Sequence, residues 1–155
     1  MYTDYESGGL DSYNGERIIF MDEFRGQMKY SLFLGMLQGY KQQMHARYTN
    51  IIPLWEEVHI TSVLPPELVY VKMVDENKQL DTMEQLRRRV DFVVYHYKQG
   101  GVYLKHTVPM PEYKTYGLLK KSVAGDAVTW TDLGNVAAGG MVNVALEDDG
   151  LPVRR

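Results

Sequence analysis

Apolar residues fall in a few short runs along this chain, and the first of them, Arg17-Ile18-Ile19-Phe20-Met21, ends abruptly in two carboxylates, Asp22 and Glu23. A continuous run of β-branched and bulky residues predicts a strand buried on both faces, with acid held at its carboxyl tip. Next, Tyr30, Phe33, Leu34 and Leu37 recur at i, i+3, i+4 and i+7. This spacing predicts a helix over Leu32 to Gln38, capped by Ser31 and stopped by Gly39. Val58-His59-Ile60-Thr61-Ser62 predicts a second strand, ended by Pro65-Pro66, with hydroxyls where the first strand has acids. Asp81 to Gln85 holds two overlapping capping boxes, Asp81 with Glu84 and Thr82 with Gln85, at the start of a short helix bearing Arg87, Arg88 and Arg89. The β-branched and aromatic residues from Val90 to Tyr97 predict a third strand.

Between these elements the pattern is weaker. Residues 1–16 are rich in Gly, Ser, Asp and Tyr and read as a lead-in loop. In residues 40–57, Lys41 and Arg47 interleave with Tyr48 and Trp55 without clean periodicity, which predicts a loop or irregular hairpin. After Lys98-Gln99-Gly100-Gly101, Val102 to Leu104 offers an edge strand, Pro109 and Pro111 fit a linker, and the Gly- and acid-rich end reads as loosely ordered. The organisation expected is therefore a lead-in over 1–16, an α/β core over 17–105, and a linker with a poorly ordered tail over 106–155. The strands at 17–21, 58–62 and 90–97 are expected in one sheet, the first two with their carboxyl tips at the same edge.

Composition narrows the classes. A chain of 155 residues with 45% hydrophobic residues buries one ordinary core. A net charge of -3 provides no global positive field toward nucleic acid, so any such contact has to come from a local patch. The absence of cysteine excludes disulfides, thiolate metal sites and a cysteine nucleophile. No apolar run approaches membrane-spanning length and the first residues lack the order of a signal peptide, so a cytoplasmic protein with no membrane partner is expected.

The carboxyl ends of strands are where open α/β sheets do their chemistry. In nucleotide hydrolases an acid at that position holds Mg²⁺ and a following Glu orients the attacking water, which makes Asp22 and Glu23 a Walker B candidate. The competing reading is a strand running into an acidic surface turn. For Arg88 and Arg89 it is a solvated helix face or salt-bridge cluster, and for Lys41, Arg47 and Tyr48 a packed loop.

Four blocks taken in order resemble the helicase-like part of rolling-circle plasmid and phage replication initiator (Rep) proteins, related to the superfamily-three helicases within the AAA+ ATPases. The blocks are Asp11 to Gly15 leading into Ile18 to Arg25; Ala46 to Asn50; Val58 to Ser62 with Pro65-Pro66-Glu67 and Tyr70; and Gln85 to Val90. The resemblance implies a partial AAA+/P-loop-NTPase-like three-layer α/β domain and assigns roles residue by residue. Asp22 and Glu23 fall on the Walker B acids, with Asp22 as the Mg²⁺ ligand. Thr61 and Ser62 fall on the polar strand end that senses the γ-phosphate, where many members carry Asn at Ser62 or Val63. Arg88 and Arg89 fall where arginines reach a neighbouring subunit's nucleotide. Lys41, Arg47 and Tyr48 fall in the segment that resembles a DNA-contacting hairpin.

Two engines of that family are incomplete. No Gly-x-x-x-x-Gly-Lys-Ser/Thr loop occurs, and Gly117-Leu118-Leu119-Lys120-Lys121-Ser122 echoes it without the second glycine and after the other motifs. His45, His59, His96 and His106 do not form the paired histidines of a nicking site. The chain is thus expected to start downstream of the phosphate loop and to contribute Walker B, sensor and arginine residues to an ATP-dependent DNA helicase. Its partners would be single-stranded DNA and other Rep subunits, in a homo-oligomer or with a complementing N-terminal segment. Mg²⁺ and ATP are implied by the resemblance alone, and the isolated chain is expected to bind neither tightly. Two other readings stand beside this one: a non-catalytic DNA- or initiator-binding regulator derived from a Rep protein, and an unrelated α/β domain.

Overall fold

The structure is a computed structural model that describes residues 1–3, 5, 9–39, 43–46, 48, 50–73 and 80–125. It divides into two compact units, Met1–Arg89 and Val90–Arg155. The described part is mixed α/β with small sheets. The tail beyond residue 125, expected to be loosely ordered, lies outside the described residues. No described helix is long and apolar enough to cross a membrane.

The first unit is organised around β1 (Ile18–Met21), which pairs in parallel with β4 (Glu57–Ile60), Ile18 opposite Glu57 and Met21 opposite Ile60. On the other edge Tyr2 adds a single parallel rung, its N–H donating to the Ile18 carbonyl at 2.7 Å while the Phe20 N–H donates to the Tyr2 carbonyl at 2.8 Å. Ile19 and Met21 are wholly buried, but Ile18 and Phe20 are only half-buried. The strand is therefore not covered on both faces as its composition predicts, because two strands and one bridging residue make too narrow a sheet.

Parallel neighbours cannot be joined by a tight turn. The crossover here carries α1 (Tyr30–Met36) and a small antiparallel pair, β2 (Met44–His45) with β3 (Asn50–Ile51). Helix α1 buries Tyr30, Phe33, Leu34 and Met36, and Phe33 stacks on Phe24 with ring centroids 4.8 Å apart. It starts earlier than Ser31 predicts. Lys29 holds the N-cap position without a side-chain bond, and the Tyr30 hydroxyl donates to the Thr82 carbonyl at 2.8 Å, which pins that residue inside the first turn.

Past β4, the prolines begin a helix as well as ending a strand. In α2 (Pro66–Met73) Pro66 takes the first helical position, where its missing N–H costs nothing, with Glu67 in the first turn and Lys72 in the last. Val69 and Met73 face the core, and Gly26 approaches this helix so closely that a Cβ there would lie 3.0 Å from the Val69 carbonyl oxygen. Gly26 also has φ of 84°, so both space and backbone conformation require glycine. Helix α3 (Met83–Arg87) follows. Its Thr82 cap makes no side-chain bond. Instead the Gln85 N–H donates to the Thr82 carbonyl and the Gln85 amide to the Leu80 carbonyl, so the two capping boxes are not formed as the sequence suggests.

In the second unit β5 (Phe92–Gln99) pairs antiparallel with β6 (Val102–Pro109) over eight residues each. This is a correction: the third strand joins β6, and neither β1 nor β4. The reason is local. Gly100 and Gly101 have φ of 56° and 81°, the two left-handed positions of a two-residue hairpin turn whose twist matches the strands, so the nearest complementary strand is met first. The stretch that reads as a linker is also ordered: Met110 and Tyr113 are buried, and α4 (Tyr116–Ala124) follows, its Leu118 N–H donating to the Thr115 hydroxyl. Apolar residues hidden among prolines gave no periodic signal. Helix α4 packs at the hairpin through Tyr116, whose ring meets Tyr95 edge-on at 5.6 Å.

Candidate functional site

Parallel pairing brings the carboxyl ends of β1 and β4 to one edge, and the backbone ladder continues past both strands. The Thr61 N–H donates to the Met21 carbonyl at 2.9 Å, and the Phe24 N–H donates to the Thr61 carbonyl at 2.8 Å. Within this frame the Thr61 hydroxyl donates to Asp22 Oδ1 at 2.5 Å and accepts the Glu23 N–H at 3.0 Å. One hydroxyl thus orients the carboxylate and holds the turn that carries the second acid. Behind them the Tyr5 hydroxyl donates to the Asp22 carbonyl at 3.0 Å and accepts from the Gln27 amide at 3.1 Å.

Glu23 is the one non-glycine residue in the left-handed region among the described residues, with φ of 50°. Such a conformation costs of order 1–2 kcal/mol for an L-residue and persists only where surrounding bonds determine it. Here the determinants are the three bonds that Thr61 makes, to Asp22 Oδ1, to the Glu23 N–H and to the Phe24 N–H. The consequence is geometric: both acids are exposed at the rim of an open depression of ≈ 430 Å³ lined by Asp22, Glu23, Arg25 and Gln27. The Arg25 guanidinium lies 3.5 Å from Glu23 Oε2. A larger cavity, ≈ 520 Å³, opens beside Gly15, Arg17, Trp55 and Glu56 near the amino-terminal ends of the same strands, away from the acids.

The other residues marked by the sequence are placed differently. The Ser62 hydroxyl accepts the Leu64 N–H at 3.0 Å, a local turn bond leading into Pro65, so Thr61 alone reaches Asp22. Arg88 pairs with Glu84 at 3.5 Å on the exposed side of α3, and Arg89 donates to the Gln85 carbonyl at 2.7 Å. Among the described residues no hydrogen bond or ion pair joins either arginine to Asp22, Glu23 or Thr61. The Tyr48 ring is 75% exposed beside the β2–β3 pair, and its N–H donates to Asp11 Oδ1. Lys41 and Arg47 lie outside the described residues.

Arg25 and Gln27 complete the depression and Tyr5 supports it from behind, none of them having been assigned a role from the sequence. Arg25 stands next to the acids and was legible by adjacency. Tyr5 and Gln27 meet only through the fold and left no signal. Asp22 keeps Oδ2 clear of protein donors among the described residues, which suits a divalent ion that takes one carboxylate oxygen and completes its shell with phosphate and water. No group of three or more His, Asp or Glu side chains converges among the described residues, so the protein's share of such a shell is small. No protein-family model and no curated protein matches this sequence.

Proposed function

We propose that the chain is the Walker B and sensor portion of a replication-initiator ATPase of the Rep type, acting with a phosphate loop carried by another segment or subunit. The observation that supports this reading best is the Thr61 hydroxyl shared between Asp22 Oδ1 and the Glu23 N–H at the carboxyl edge of a parallel strand pair. It holds two carboxylates side by side, which supports the division between metal binding and water orientation that phosphoryl transfer requires. Asp22 would hold Mg²⁺, which supplies charge neutralisation of the phosphates. Glu23 would orient the attacking water, and Arg25 would hold Glu23 in place.

The phosphates themselves need a cradle of backbone N–H groups. Gly117 to Ser122 is not one, because these residues lie within α4, where the Leu118 N–H is taken by the Thr115 hydroxyl and the amides from Leu119 onward bond along the helix. The outer edge of β4 carries no strand among the described residues, which leaves it open to a loop-bearing strand from another segment.

The expected outcome is no ATP turnover by the chain alone. Turnover should appear on co-expression with a phosphate-loop segment, and Glu23→Gln should lower it at least 100-fold. Turnover by the purified chain at ordinary enzyme rates, abolished by Glu23→Gln, would overturn the division between segments. Failure of any loop-bearing segment to restore it would favour the non-catalytic regulator.

A further inference from the structure

We propose that the exposed face of the β5–β6 hairpin binds single-stranded nucleic acid. Antiparallel register places cross-strand partners on one face, and one face carries Phe92, Val94, His96 and Lys98 from β5 with Lys105 and Tyr103 opposite the last two. Every one of these side chains is exposed, Phe92 and Tyr103 at 61% each. Lys98 and Tyr103 form one rung, with the ammonium 5.2 Å from the ring centroid, and His96 and Lys105 form the next. Side chains on one face of a strand repeat about every 7 Å, comparable with the reach of one stretched nucleotide, so the two rungs offer adjacent cations for successive phosphates.

Charge selects the occupant. No carboxylate lies on this face, and the acids nearest in sequence, Asp91 and Glu112, flank the end of the hairpin away from Gly100-Gly101. Residues 90–125 hold five lysines against those two acids, a local positive excess in a chain whose net charge is -3. A protein partner's footprint would be depleted in lysine at its centre. An exposed ring flanked by cations instead matches the way unpaired bases stack while phosphates are neutralised. A duplex hides its base faces and cannot use Tyr103. The proposal shares with the function above only its class of partner, and it stands on the second unit alone.

The test uses the intact chain and a fluorescent oligothymidylate in an anisotropy titration without nucleotide. Lys98→Glu with Lys105→Glu should weaken binding at least 10-fold, Tyr103→Ala about 10-fold, and Tyr103→Phe by less than about 2-fold, whereas the equally charged control Lys29→Glu with Lys72→Glu should leave it within about 2-fold. Bromodeoxyuridine cross-links should map to residues 92–109, a readout that needs no variant to fold. Absence of binding, cross-links confined to the first unit, loss on Arg47→Glu with none at the hairpin, or indifference to Tyr103→Ala would each overturn the proposal. So would retention on anionic phospholipid vesicles in place of the oligonucleotide. The ATP experiment above can fail without affecting any of these outcomes, and the reverse holds too.

Discussion

In the first unit Phe24 and Phe33 stack at 4.8 Å and are almost wholly buried, whereas in the second Phe92 and Tyr103 each leave 61% of their surface to solvent. The contrast follows from how the strands are paired. A parallel pair separated by more than thirty residues in sequence exists only because side chains pack over the crossover, so the first unit must bury its aromatic residues. A hairpin closed by two glycines in left-handed conformation is held by its own ladder and needs cover on one face. The other face is released for contact with something else. Charge divides the same way, with the acids displayed at the strand tips of one unit and the lysines on the hairpin of the other.

Removing one ring from each unit should separate the two most strongly. Phe24→Ala should cost about 3–5 kcal/mol, by losing buried surface and leaving a cavity against Phe33, while Phe92→Ala should stay within about 0.5 kcal/mol. Urea unfolding of the two variants measures both. Equal losses would show that Phe92 is covered in solution.

A pH scan comes next in expected size. Burial foremost, and then the neighbouring Tyr70, push the Tyr30 hydroxyl up to about 12. The folded chain then keeps that proton where an unfolded tyrosine, at about 10, has released it. The stabilisation is fully present below the unfolded value and is lost as pH rises through the folded one. Urea midpoints should therefore fall between about pH 10 and 12, and Tyr30→Phe should flatten that fall. An unchanged slope in the variant would place the alkaline transition elsewhere.

The smallest effect tests the site itself. Thr61→Val keeps the shape but removes the hydroxyl that serves Asp22 and the Glu23 N–H, and should cost about 1 kcal/mol, since both bonds are exposed. Amide exchange at Glu23 should rise in step, because its N–H loses its acceptor. Protection of that amide in the variant would mean that a group other than the Thr61 hydroxyl holds it.

Local pattern determined a good deal of this protein. The run from Ile18 to Met21 predicted β1, the spacing of Tyr30, Phe33 and Leu34 predicted the buried face of α1, and Val58 to Ser62 predicted β4, because burial and periodicity act over neighbouring residues. Hydroxyls at one strand end and acids at the other were also visible as composition. Only the tertiary structure decided that Thr61 and not Ser62 meets Asp22, since that depends on the register of strands far apart in sequence. The partner of β5 was likewise settled by chain closure through Gly100-Gly101, a competition between near and distant strands that no single strand's pattern records. Tyr5 and Gln27 came to the back of the acids for the same reason: a hydrogen bond between residues far apart along the chain is written in the fold and has no counterpart in local sequence.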